Sequence, residues 1–173
     1  MDLTLLWPSD LVAGDGAVLK VSQKLEYAIR ALIELSLRRE EGHLIPAREI
    51  AEEQQVPLRF LEQQLGSLSK AGLVESFRGA GGGCRLAKPP DQIRMSEVAE
   101  AIEGQTVPMF CLSPEDHTCF QDSRCGLQGF WADVALAVQR VFDETTIADL
   151  AARHAASTAP TVFSPDQLLS RLN

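Results

Sequence analysis

The chain has 173 residues, 45% of them hydrophobic and 23% charged, with a formal net charge of −8. Such proportions suit a soluble globular protein, and the length allows a small domain with a helical appendage. Its apolar runs are far too short for a bilayer and the start lacks a basic stretch before an apolar one, so a cytoplasmic protein without membrane contact is expected.

An acidic total argues weakly against nucleic acid, but the charge is uneven. Residues 20–90 hold eleven Lys or Arg against nine Glu, a balance of +2, while the remainder holds five basic against fifteen acidic groups, a balance of −10. From Ser76 to Pro90 no acidic residue occurs, while Arg78, Arg85 and Lys88 do. A locally basic segment on an acidic protein is compatible with a focused phosphate contact.

Residues 1–19 are unperiodic, broken by Trp7-Pro8 and Gly14-Asp15-Gly16, and are expected to form a mobile N-terminal extension. At Ser22, a candidate N-cap, a first helix begins; Leu25, Ile29, Leu32 and Leu35 carry it to about Arg39, and Gly42 ends it. A second short helix follows Pro46 through Ala47–Glu53. Gln54-Gln55-Val56 then turns the chain, and Pro57 suits the first turn of a third helix. Leu58, Leu61, Leu65 and Leu68 form the apolar stripe of that helix, with Arg59, Glu62 and Gln63 largely off it and Gly72 closing it. Leu73–Arg78 alternates like a strand, Gly79–Gly83 must turn, and Cys84–Ala87 can return before Pro89-Pro90 stops it.

These elements describe a mainly α fold with a small β-hairpin wing, a winged helix-turn-helix domain over residues 20–104. The third helix would enter the major groove of double-stranded DNA, with the hairpin beside the backbone or minor groove. The glycine run fits neither nucleotide motif. A dinucleotide fingerprint needs glycine where Cys84 stands, and no Gly-Lys-Ser/Thr follows. Ser96 then caps a helix through Val98 and Ile102, which Gly104 stops.

Residues 105–126 contain Cys111, Cys119 and Cys125 in a Pro-, Asp- and Ser-rich stretch that reads as a loop. Clustered thiolates there point to a bound metal or cluster, iron or zinc by ligand softness; a disulfide is the competing reading, disfavoured in a reducing compartment. His117 lies inside the loop and is a chemically able ligand, although solvated loop histidines are commoner. Leu127 to about Glu144 forms a long helix whose Phe130, Val134, Val138, Val141 and Phe142 exceed the apolar surface one exposed helix should show. Packing against a second copy is the simplest remedy. Thr146–Leu150 opens a last short helix, placed with the long one in residues 127–154, and residues 155–173 read as a flexible tail.

Several stretches together resemble the Rrf-two family of bacterial transcription regulators: Glu26–Leu32, Glu62-Gln63 through Val74, Arg78–Gly83 and Arg85–Pro90. The resemblance runs from about Lys20 to Leu150. The family usually begins a few residues before the first helix, which implies a native start near Val18 or Leu19. The resemblance also implies a homodimer with crossed long helices and a repressor or activator role. Loop residues Cys111, Cys119 and Cys125 would hold an iron–sulfur cluster, 2Fe–2S or 4Fe–4S. Relatives use such a cluster to sense cluster supply, iron, nitric oxide or redox state; others lack the cysteines and bind different signals. In one branch a histidine three residues after the last cysteine completes the set, but here that position is Gln128, a poor iron ligand. Other relatives use an acidic residue on the first helix of the partner subunit, the position of Glu26. Cys84 stands where relatives usually have an aromatic residue, and reads as a packed thiol.

By the same resemblance Arg59, Glu62 and Gln63 face base edges, and their chemistry suits guanine, cytosine and adenine respectively. Arg78, at the base of the wing, is the candidate for minor-groove or phosphate contact, supported by Arg85 and Lys88. The alternative function is a zinc-stabilised winged-helix module that binds protein and senses no cluster. An enzyme is disfavoured: no cofactor fingerprint, CxxC motif or catalytic triad is present.

Overall fold

The computed structural model describes residues 21–39, 43–79, 81–104 and 125–156. The first helix, α1 (Gln23–Leu37), begins where Ser22 caps it, its hydroxyl accepting from the Leu25 N–H at 3.2 Å. One face, Leu25, Ala28, Ala31, Leu32 and Leu35, is buried. The helix stops short of Arg39: Arg38 leaves helical geometry and its side chain reaches Glu49 at 2.8 Å. Gly42, the expected terminator, lies outside the described residues.

Helix α2 (Ala47–Glu53) and helix α3 (Leu58–Lys70) are joined by a turn in which Gln55 adopts a left-handed φ of 52°. Pro57 stands one place earlier than expected. Its ψ of 122° is extended, so it is the N-cap of α3, and its carbonyl accepts from the Phe60 and Leu61 N–H groups. Leu61, Leu65 and Leu68 are buried against α1 and α2, and Gly72, at φ +71°, takes the left-handed position that ends the helix.

Strands β1 (Val74–Phe77) and β2 (Gly83–Leu86) pair antiparallel with Val74 opposite Leu86 and Glu75 opposite Arg85. Alternation turns Val74, Cys84 and Leu86 inward and Glu75, Phe77 and Arg85 outward. Ile45 adds a third, single-residue rung: its N–H and carbonyl each bond Cys84 at 2.9 Å. This rung ties the hairpin to the segment between α1 and α2.

Helix α4 (Met95–Glu103) is capped at Arg94, not at Ser96. The Glu97 carboxylate accepts from the Arg94 N–H at 3.0 Å and from Lys88 Nζ at 2.6 Å. Burial pushes the Glu97 carboxyl upward, but these two bonds and the Lys88 charge outweigh it and hold the group below the usual carboxylate range.

Helix α5 (Gly126–Glu144) buries none of its residues, and Leu127, Phe130 and Val141 are more than half exposed. Helix α6 (Ile147–Ala156) returns to the body. Thr146 and Asp149 cap it reciprocally, which holds the Asp149 carboxyl below its ordinary value, first through the Thr146 hydroxyl and then its N–H. Ile147 is fully buried and its N–H donates to the Ile93 carbonyl at 2.9 Å, so α6 packs across α1 within the winged-helix core. The helix continues two residues into the segment expected to be tail. No helix among the described residues is long and apolar enough to cross a membrane.

Candidate nucleic-acid interface and cysteine loop

Because the leucine stripe of α3 is spent on the core, the residues between the leucines must face outward. Arg59, Glu62 and Gln63 are all exposed, and spacings of three and four place them on one helical face. Neither Arg59 nor Glu62 forms an ion pair among the described residues. Phe60, in the same first turn, is 55% exposed and borders a groove of about 580 Å³ with Val21, Tyr27, Pro57 and Gln63. Sequence reading missed Phe60, although an aromatic residue off the leucine stripe was a usable signal.

The three basic residues of the wing are not equivalent. Arg78 is exposed and makes no ion pair among the described residues. Arg85 is engaged by its cross-strand neighbour: Nε and Nη2 donate to Glu75 Oε2 at 2.8 and 2.7 Å, and the guanidinium carbon lies 5.3 Å from the Phe77 ring centre. Lys88 is engaged by Glu97. Both carboxylates lie outside the acid-free stretch of sequence yet fold back onto it.

Of the cysteine-loop residues, Cys111, His117 and Cys119 lie outside the described residues. Cys125 is half-buried at the N-cap of α5. A helix N-terminus carries a partial positive charge, so an anionic group held there is favoured. Cys84 differs in kind: its Sγ lies 3.3 Å from the Ile45 carbonyl, and burial pushes the thiol up to about 11. Glu26, in the first turn of α1, is bonded to Arg30 at 2.5 Å. The same turn meets the entrance of the cysteine loop, because the Ser22 hydroxyl also donates to Glu103, next to Gly104. Among the described residues no three His, Cys, Asp or Glu side chains are grouped to hold a metal.

Two helices joined by a tight turn, an exposed polar face on the second and a hairpin braced beside it define a winged helix-turn-helix protein of the DNA-binding class. The family model for Rrf2, an iron-dependent transcriptional regulator, matches residues 21–153, and the chain belongs to that family. It is 33% identical over 132 residues to the HTH-type transcriptional regulator IscR of Aliivibrio salmonicida, a match covering 76% of this chain and 77% of that one. Among solved structures, IscR of T. potens superposes with a TM-score of 0.64 at 32% identity, covering 83% of this chain and 96% of that one. CymR, the global cysteine regulator of B. subtilis, superposes with a TM-score of 0.66 at 32% identity, covering 78% and 98%. The relatives are transcriptional regulators rather than enzymes.

Proposed function

We propose that this chain is a homodimeric, cytoplasmic repressor or activator whose operator binding is modulated by an iron–sulfur cluster on Cys111, Cys119 and Cys125. The observation that carries the DNA reading is the outward face of α3, with Arg59, Glu62 and Gln63 accessible on a helix whose other face is buried. Arg59 would pair with guanine, Gln63 with adenine and Glu62 with the cytosine amino group, while Arg78 takes a phosphate or the minor groove. Exposed apolar side chains on α5 support a second copy as the partner of that helix.

Cys125 fits a cluster ligand better than Cys84 does. It is accessible and sits at the favourable end of the 19-residue helix α5, whereas Cys84 is buried, bonded and held protonated. A bound cluster supplies iron whose oxidation state and ligands respond to supply and to oxidative stress. The chain's own part is transmission. Residues 105–124 join α4 to α5, and α4 packs on α3, so a restraint on the loop bears on the reading helix. Glu26 of the partner subunit, released from Arg30, is our candidate for the fourth ligand.

Cys125→Ala tests the proposal. Anaerobically purified native protein should absorb in the visible, and the variant should lose that absorption and change its affinity for genomic fragments selected by the native protein. A variant that loses its colour yet keeps its affinity refutes cluster sensing, and one that keeps its colour removes Cys125 from the ligand set. A colourless native protein holding zinc favours the structural-zinc alternative, and a metal-free native protein that still binds DNA places it with cluster-free regulators.

A further inference from the structure

We infer that Glu75 is a built-in competitor for DNA phosphate at Arg85, so that this wing arginine contacts DNA only where the backbone displaces the carboxylate. The inference rests on the DNA-binding reading and deepens it. Glu75 and Arg85 stand opposite each other across the hairpin, on the face turned away from the core. Both nitrogens of the Arg85 fork go to the same oxygen of Glu75, and the Phe77 ring, two residues along β1 on the same face, flanks the guanidinium. Two donors of the guanidinium are thus occupied by Glu75, with the Phe77 ring centre 5.3 Å from its central carbon.

The pair is also open to exchange. The two side chains remain 44% and 45% exposed, and ion pairs at such exposure are weakly held. A phosphodiester offers two non-bridging oxygens that share one negative charge, and these can accept from both donors of the Arg85 fork in place of the single carboxylate oxygen. The exchange leaves Glu75 unpaired beside the DNA backbone, where like charge is repelled. A loosely seated wing, as in non-specific encounters, gains nothing from breaking the pair. A fully seated wing gains the Arg85 contact. Glu75 therefore withholds one phosphate contact from non-specific DNA and raises the ratio of specific to non-specific affinity. Arg78, without an ion pair among the described residues, makes the unconditional contact.

The test measures the salt dependence of affinity of the full chain, purified with whatever metal it retains, for a selected genomic fragment and for a random-sequence duplex. Native protein, Glu75→Gln, Arg85→Gln and the double variant are compared, with circular dichroism confirming the fold. On random duplex Glu75→Gln should steepen the log–log slope by about 0.9, one released phosphate contact, so that a fourfold rise in salt weakens it about 3.5-fold more than native. On the selected fragment, where Arg85 has already exchanged, the slope should hold. In the Arg85→Gln background, Glu75→Gln should leave both slopes in place. Equal steepening in both backgrounds reduces Glu75 to a general surface charge and overturns the inference, as does an unaltered slope on random duplex. Failure of the native chain to bind either DNA overturns the DNA-binding reading and the inference with it.

Discussion

Gly83→Ala should detach the wing from the body of the domain while leaving every helix intact. A β-carbon at residue 83 would lie 2.8 Å from both the carbonyl carbon and the oxygen of Ile45, which are backbone atoms and cannot swing aside as a side-chain end could. Relief requires Ile45 and β2 to separate, which breaks the two 2.9 Å bonds between Ile45 and Cys84. Losing two backbone hydrogen bonds costs about 2 kcal/mol at about 1 kcal/mol each, and keeping them under overpacking strain costs about 1–3 kcal/mol, so the loss should be about 1–3 kcal/mol by either route. Urea unfolding followed by helical circular dichroism measures it, with midpoint and slope fitted separately. Affinity for DNA should fall as well, because the hairpin carrying Arg78 loses its brace. A loss below about 0.5 kcal/mol would refute the reasoning, since it would mean that the Ile45 rung yields without cost.

Cys84 offers a pH test. Its folded-state value near 11 lies above the unfolded thiol's 9.0, so the protonated form is favoured by folding. The associated stability is present below pH 9 and is lost as pH rises toward 11, to the extent of about 2–3 kcal/mol. Cys84→Ala should flatten that alkaline decline relative to native, and alkylation of the folded, metal-free protein with peptide mapping should mark Cys125 while sparing the buried Cys84. On α5, Phe130→Glu together with Val141→Glu places charge where apolar side chains are exposed. In a dimer built on that face the dissociation constant should rise more than about 100-fold, because each buried unpaired charge costs several kcal/mol. Sedimentation should then show monomer, and a variant sedimenting as native would remove α5 from the interface.

Much of the domain was legible locally. The leucine spacing of α3, the Ser22 cap and the glycine at φ +71° act within one or two helical turns, so neighbouring residues suffice to reveal them. Misreadings occurred where a partner far along the chain decided the outcome. Ser96 had the right side chain for a cap, but the cap is Arg94, two residues earlier. The Met95 N–H bonds the Thr145 carbonyl at 2.9 Å, and Arg94 pairs with Thr146 at the start of α6. The Ile45 rung was invisible for the same reason, since a single extended residue carries no periodicity.

By itself the sequence determined the helix-turn-helix, the hairpin and the residue types on the exposed face of α3, because periodicity and glycine geometry are short-range properties. Tertiary structure alone decided which basic residues keep an available charge. The acid-free stretch from Ser76 to Pro90 looked uniformly cationic, yet Glu75 and Glu97 fold onto Arg85 and Lys88 and leave Arg78 as its member without an ion pair among the described residues. Charge along a chain is counted in sequence, but Coulomb attraction acts through space, and only the folded chain brings those carboxylates within 3 Å.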